Sequence, residues 1–152
     1  MITYRKATLH DIPLMQELVT PMVADGVILY RDANEMSNTI RSYTLACSGE
    51  TIVGFAALNI YSQQWGEVRS LVVSPSHQGQ GIASTLIGQL EQEGRHLGLS
   101  TLLVLTYRRE LFERLGFIEI PKEAIPEHKI WADCIKCKHF PVCNEISLIK
   151  SI

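Results

Sequence analysis

Apolar positions along this chain change period several times, and each change marks an element. "MITYRKAT" is rich in β-branched and aromatic residues and predicts a first strand. From Thr8 the spacing lengthens: Ile12, Met15, Leu18, Val19 and Met22 recur at helical intervals. Thr8 and Asp11 are spaced as a capping box and Pro13 suits a first turn, so a helix should start here and end near Gly26. "DANEMSNTIRSY" predicts a second, short helix. "YTLACSGETIVGFAALNI" holds two apolar runs around Ser48, Gly49 and Glu50, the pattern of a hairpin. "GEVRSLVVSP" predicts a further strand, stopped by Pro75.

After Gly81 the apolar positions are Ala83, Leu86, Ile87, Leu90 and Leu97, an amphipathic helix of about four turns. "STLLVLT" is a continuous apolar run, as in a strand buried on both faces. "RELFERLGF" predicts a short helix stopped by Gly116, and "EISLIKSI" a last strand. The order is strand, two helices, three strands, helix, strand, helix, strand. The strand–helix–strand unit from 67 to 105 implies a parallel pair, and the hairpin before it implies antiparallel partners. The expected fold class is therefore α/β (α+β): a mixed central sheet flanked by helices, in one domain spanning 1–152.

Length and composition agree with that picture. A chain of 152 residues suits a single domain, and 46% apolar with 20% charged residues is a globular composition. A net charge of −2 favours neither nucleic acid nor an anionic membrane as partner. No apolar run approaches the roughly 18 residues of a membrane helix, and the N-terminus lacks the apolar core of a signal peptide. The expected location is cytoplasmic, where the four cysteines would be thiols or metal ligands. Homodimerisation stays open.

Chemistry first shows at "SLVVSPSHQGQGIASTLI", where Gly79 and Gly81 separate a strand from a helix. A helix start offers unpaired N–H groups and a partial positive charge, and glycine lets a phosphate approach them. A plain strand-to-helix turn explains the same residues. Neither a dinucleotide fingerprint (Ser84 stands where the third glycine belongs) nor a P-loop is present.

"EVRSLVVSPSHQGQGIASTLI" closely resembles the acyl-CoA-binding motif of the GNAT superfamily of N-acyltransferases, with Gln78, Gly81 and Ala83 at its characteristic positions. "ELFERLGF" resembles the helix and Gly-Phe turn that follow in the same superfamily, and the element order agrees from end to end. The resemblance implies acetyl-CoA as cosubstrate. Gln78, Gly79, Gln80, Gly81, Ile82, Ala83 and Ser84 would hold its pyrophosphate, and Leu71, Val72 and Val73 would pair with its pantetheine arm.

Acetyl transfer to an amine needs a base, an oxyanion donor and at times an acid for the thiolate. Glu67 is the candidate base, supported by a glutamate near this position in GNAT enzymes; strand alternation puts it on one face with Arg69. A solvated or mutually paired strand face is the plainer account of both. Many GNAT enzymes carry a tyrosine where this chain has Phe112, which cannot donate a proton, so Tyr107 is the candidate acid. A packed aromatic at a strand end explains Tyr107 equally. No cysteine lies near the inferred thioester with a partner base, which favours direct transfer.

The closer likeness is to small N-acetylglutamate synthases, carried by "GVILYRDANEM", "LLVLTYRRELFERLGF" and "HKIWADCIKCKHFPVCNEISLIK". It implies a small amino-acid acceptor, L-glutamate foremost, with Arg31 and Arg108 as carboxylate ligands and Arg69 counted beside them. Another small amine, a protein N-terminus, or a non-catalytic acyl-CoA sensor are the competing readings. Relatives of this type often add an N-terminal amino-acid-kinase-like domain that senses arginine. These 152 residues show no likeness to it, which puts arginine feedback in question.

The cysteine-containing segment 128–145 includes Cys134, Cys137 and Cys143 in a C-x2-C-x5-C spacing. Three thiolates are one short of a closed zinc site, and His139, Asp133 or His128 is a candidate fourth ligand. Reduced thiols, or a redox-labile pair at Cys134 and Cys137, explain the same spacing. Cys47, inside an apolar strand, reads as a buried small residue.

Overall fold

The computed structural model describes residues 1–26, 30–125 and 145–152. Among these, the apolar runs become β1 (Ile2–Lys6), β2 (Tyr43–Ser48), β3 (Thr51–Ile60), β4 (Trp65–Val73), β5 (Thr101–Thr106), β6 (Ile118–Ile120) and β7 (Ile146–Ser151). The periodic segments become α1 (Ile12–Ala24), α2 (Ala33–Asn38), α3 (Ile82–Leu97) and α4 (Arg109–Arg114). The strands form one sheet in the order β1-β2-β3-β4-β5-β7-β6. Among the described residues only β4 and β5 pair in parallel, so the expected mixed sheet is present. Strand β6 is absent from the sequence reading because three residues carry no readable period; it pairs with β7 from Ile118↔Ile149 to Ile120↔Ser147.

Each face of the sheet has its own core. Helix α3 lays Ile82, Leu86, Ile87 and Leu90 on one face, where Leu111 and Phe112 of α4 join them. Leu97, expected on that apolar stripe, is instead 55% exposed in the last turn. Helix α1 covers the other face through Ile12 and Met15, with Met36 of α2 beside them.

One irregularity in β4 sets up everything that follows. Val68 packs in the α3 core and Val72 in the α1 core, although an even spacing should leave both on one side. The register explains it: Ala57 and Phe55, two apart on β3, face Arg69 and Val72, three apart on β4. The extra residue forms a bulge with Ser70 in the left-handed region at φ 57, where non-glycine residues are uncommon. Strict alternation therefore breaks after Arg69, at Ser70. A bulge bends its strand, and β4 pairs with β5 only from Trp65↔Thr101 to Glu67↔Leu103. Past Glu67, β5 continues its ladder with β7 alone among the described residues. The two parallel strands splay apart.

At the start of α1 the expected Thr8/Asp11 cap forms around a short 3₁₀ turn, Leu9–Asp11. The Asp11 carboxylate accepts from the Arg5 guanidinium at 2.9 and 3.0 Å and from the Thr8 N–H at 2.7 Å. Chiefly through the Arg5 hydrogen bond, its pKa is lowered from 3.8 to about 2. A carboxyl depressed in the fold stabilises it above the unfolded value and loses that effect as pH falls toward the folded value. Asp11→Asn should therefore lower the urea midpoint at neutral pH, with the two proteins converging between about pH 4 and pH 2. A gap of the same size at both ends of that window would remove this pair from the acid response.

Candidate active site

Beyond β4, a backbone bond from Ser74 N–H to the Val53 carbonyl (2.7 Å) ties the loop to β3. Gln78 turns back on the same strand end, its side-chain amide donating to the Val73 carbonyl at 3.3 Å. Gly79 and Gly81 sit at φ 79 and 80, a conformation glycine adopts without strain. A Cβ at either would meet nothing within 4 Å, so the glycines answer a backbone requirement and leave open space above the loop. Gly81 caps α3; no side chain caps its first-turn N–H groups, and no acidic residue lies in that turn. Such an end carries partial positive charge and suits an anion.

The open space is a cleft of about 570 Å³. Of the expected cofactor residues, Leu71, Val72, Val73, Gln78, Gly79, Gly81, Ile82, Ala83 and Ser84 line it. Gln80 does not; it faces solvent. The opposite wall holds Met22, Arg108, Leu111 and Arg114, and His77 adds a ring whose Nδ1 lies 3.0 Å from Ser76 Oγ. Arg114 was not foreseen because it reads as one more exposed charge on a short helix. Helix α4 is anchored by the buried Leu111 and Phe112, and its exposed Arg109 pairs with Glu119 of β6 at 2.8 Å.

Where β4 and β5 separate, a second cavity of about 90 Å³ opens. Arg69, Tyr107 and Arg108 line it together with Phe112 and the acidic Glu145, and it shares Leu71 and Arg108 with the larger cleft. The splay thus brings two of the three candidate carboxylate ligands beside the expected donor site. Arg31 stands apart, in a pocket with Gln16, Val19 and Tyr30, where it pairs loosely with Glu35 at 4.0 Å. Tyr107 is 45% exposed at the end of β5. Phe112 is a core residue, packed edge-on against Phe117 with ring centres 5.2 Å apart.

Glu67 is 2% exposed, which rules out the solvated strand face. Its Oε1 accepts a 2.6 Å hydrogen bond from the Tyr61 hydroxyl, a partner no sequence spacing pointed to. Cys47 is buried and free, as expected. Cys134, Cys137 and Cys143, with His128, Asp133 and His139, lie outside the described residues. Among the described residues no cluster of three or more His, Cys, Asp or Glu side chains could hold a metal, and no helix is long and apolar enough to cross a membrane.

The sequence profile of the acetyltransferase (GNAT) family matches residues 13–117. The chain belongs to the GNAT family. It is an N-acetyltransferase of the type that uses acetyl-CoA. An uncharacterized N-acetyltransferase of Chlorobaculum tepidum is 30% identical over 97% of this chain and 95% of its own length. The amino-acid acetyltransferase of Ralstonia nicotianae is 33% identical over 82% of this GNAT chain, which spans only 28% of that larger protein. Among solved structures, N-acetylglutamate synthase from Neisseria gonorrhoeae, complexed with coenzyme A and N-acetylglutamate, superposes with a TM-score of 0.90 at 25% identity. That match covers 99% of this chain and 35% of the synthase. A Mycobacterium tuberculosis protein solved with CoA shares the GNAT fold over 99% of both chains, with a TM-score of 0.84.

Proposed function

We propose that this GNAT enzyme acetylates the α-amine of a small amino acid, L-glutamate foremost, by direct transfer. One observation carries the reading: Arg69 and Arg108 line a small cavity that joins the larger cleft where β4 and β5 part. Two guanidinium groups are what an anionic amino acid needs, since each can pair with a carboxylate through two N–H bonds. The naming of relatives as amino-acid acetyltransferases, and the fold likeness to N-acetylglutamate synthase, support the same acceptor.

The cleft fits coenzyme A chemically. Uncapped N–H groups at the start of α3 suit its pyrophosphate, and the strand edge from Leu71 to Val73 suits the pantetheine amides. Arg114 on the opposite wall supplies a cation for a phosphate. Acetyl-CoA, when bound, supplies the thioester. Glu67, buried and lining neither of these cavities, takes the ammonium proton through a water, while Arg69 and Arg108 hold the carboxylates. Arg31 lies in another pocket and is kept as a further carboxylate ligand. Tyr107, which lines the small cavity with Arg69 and Arg108, gives a proton to the departing thiolate.

The test is a panel of acceptors, with release of the CoA thiol as readout. Glutamate should accelerate release well beyond glutamine, lysine or a short peptide, and acetyl-CoA alone should raise the melting temperature. Equal rates across the panel remove the glutamate reading. A melting shift with no turnover on any acceptor would make the chain an acyl-CoA-binding module.

A further inference from the structure

We infer that Tyr61 is a positioning residue for the reaction, fixing the Glu67 carboxylate in the orientation in which it accepts the ammonium proton. The inference rests on the reading of Glu67 as the base and adds a residue that neither the glycine loop nor the arginines involve.

The hydrogen bond is short. At 2.6 Å, hydroxyl to carboxylate oxygen, it falls in the range of charge-assisted O–H···O⁻ bonds. A carboxylate only 2% exposed has little water to stabilise its charge, so a donor on Oε1 matters more here than at a surface. Such a donor limits rotation of the carboxylate plane, a broad torsion when nothing holds it.

Tyr61 is itself tied down by the backbone. Its N–H donates to the Trp65 carbonyl at 3.0 Å, closing the β3–β4 connection into a tight turn. The Ser62 hydroxyl accepts from the N–H groups of Gln64 and Trp65, and the Gln64 carbonyl accepts from those of Ser100 and Thr101 at the start of β5. A turn pinned to β4 and β5 brings the phenol to Glu67, six residues on in sequence and the third residue of β4. The cross-strand partners of Glu67 are Asn59 and Leu103, and Arg69 lies two residues along the strand. Tyr61 lines neither of the two cavities that hold the candidate binding residues, so its hydroxyl can orient Glu67 from outside them.

A merely structural tyrosine and a positioning one differ in how far their loss depends on Glu67. The test uses the full chain as wild type, Tyr61→Phe, Glu67→Gln and the double variant, with acetyl-CoA and the best acceptor of the panel. Tyr61→Phe should lower kcat about tenfold while the acceptor KM stays within about twofold of wild type. The melting shift produced by acetyl-CoA should stay as in wild type. On the Glu67→Gln background, adding Tyr61→Phe should cost less than about twofold, because the group it acts through is gone. A kcat equal to wild type, or a loss that persists in full without Glu67, overturns the inference. If Glu67→Gln is as active as wild type, or no acceptor turns over, the base assignment falls and Tyr61 with it. If Glu67→Gln is crippled but Tyr61→Phe keeps the wild-type kcat, only the role of Tyr61 falls.

Discussion

Glu67→Gln is expected to lower kcat for glutamate acetylation by about 10²- to 10⁴-fold, the span of general acid–base catalysis. The substitution isolates one property. Glutamine keeps the shape of the side chain, and its amide oxygen can still accept the Tyr61 hydroxyl that lies 2.6 Å from Oε1. What it removes is a group able to take a proton. Thermal melting of the variant beside wild type separates a loss of chemistry from a loss of fold at this buried site. Donor binding should survive, because Glu67 is not among the residues lining the larger cleft. A variant that folds, binds acetyl-CoA and barely turns over is the expected phenotype. Loss of less than about threefold would show that the amine reaches the thioester already neutral, and would move the base elsewhere.

Phe112→Ala should destabilise the fold by about 3–5 kcal/mol, as large-to-small changes of buried aromatics do. Phe112 is 1% exposed and sits among Leu86, Leu111 and Phe117 in the core between α3, α4 and the sheet. Its edge-on contact with Phe117 goes with the ring. For a domain of this size the melting temperature should drop by roughly 10 °C, and urea unfolding gives the free energy directly. Because Phe112 also walls the small cavity, the acceptor KM should rise in the same variant, whereas Phe112→Leu should recover most of both losses. A stability loss under about 1 kcal/mol would mean that α4 does not depend on this ring. Where many GNAT enzymes carry a tyrosine, this chain keeps the aromatic volume and omits the hydroxyl, which fits a position set by packing.

Sequence patterns were most informative where a single local rule decides the backbone. A proline stop, two glycines at positive φ and a helical apolar stripe carry the donor loop almost entirely, and all but Gln80 of its expected residues line the cleft. They were least informative where the determinant is a relation between strands. Nothing about a serine signals a left-handed bulge, yet Ser70 decides where β4 leaves β5. Tyr61 meets Glu67 only because the hairpin folds back, and Arg114 looked like any solvated helix cation until α4 was seen against α3. Arg31 and Arg108 looked equivalent as isolated arginines; the fold puts one beside the donor cleft and the other in a different pocket.

The inserted residue at Ser70 also has a meaning for how such a site can change over generations. It makes β4 two half-strands of opposite phase, with Glu67 and Arg69 before the break and Val72 and Val73 after it. Substitutions at 67 or 69 do not alter which way the later half presents its edge, and changes in the later half do not rotate the earlier one. On the roles proposed above, acceptor preference and donor affinity would sit on the two halves of one strand and meet only at Leu71 and Arg108, which line both cavities, so most changes to the acceptor side would leave the hold on the acyl donor intact.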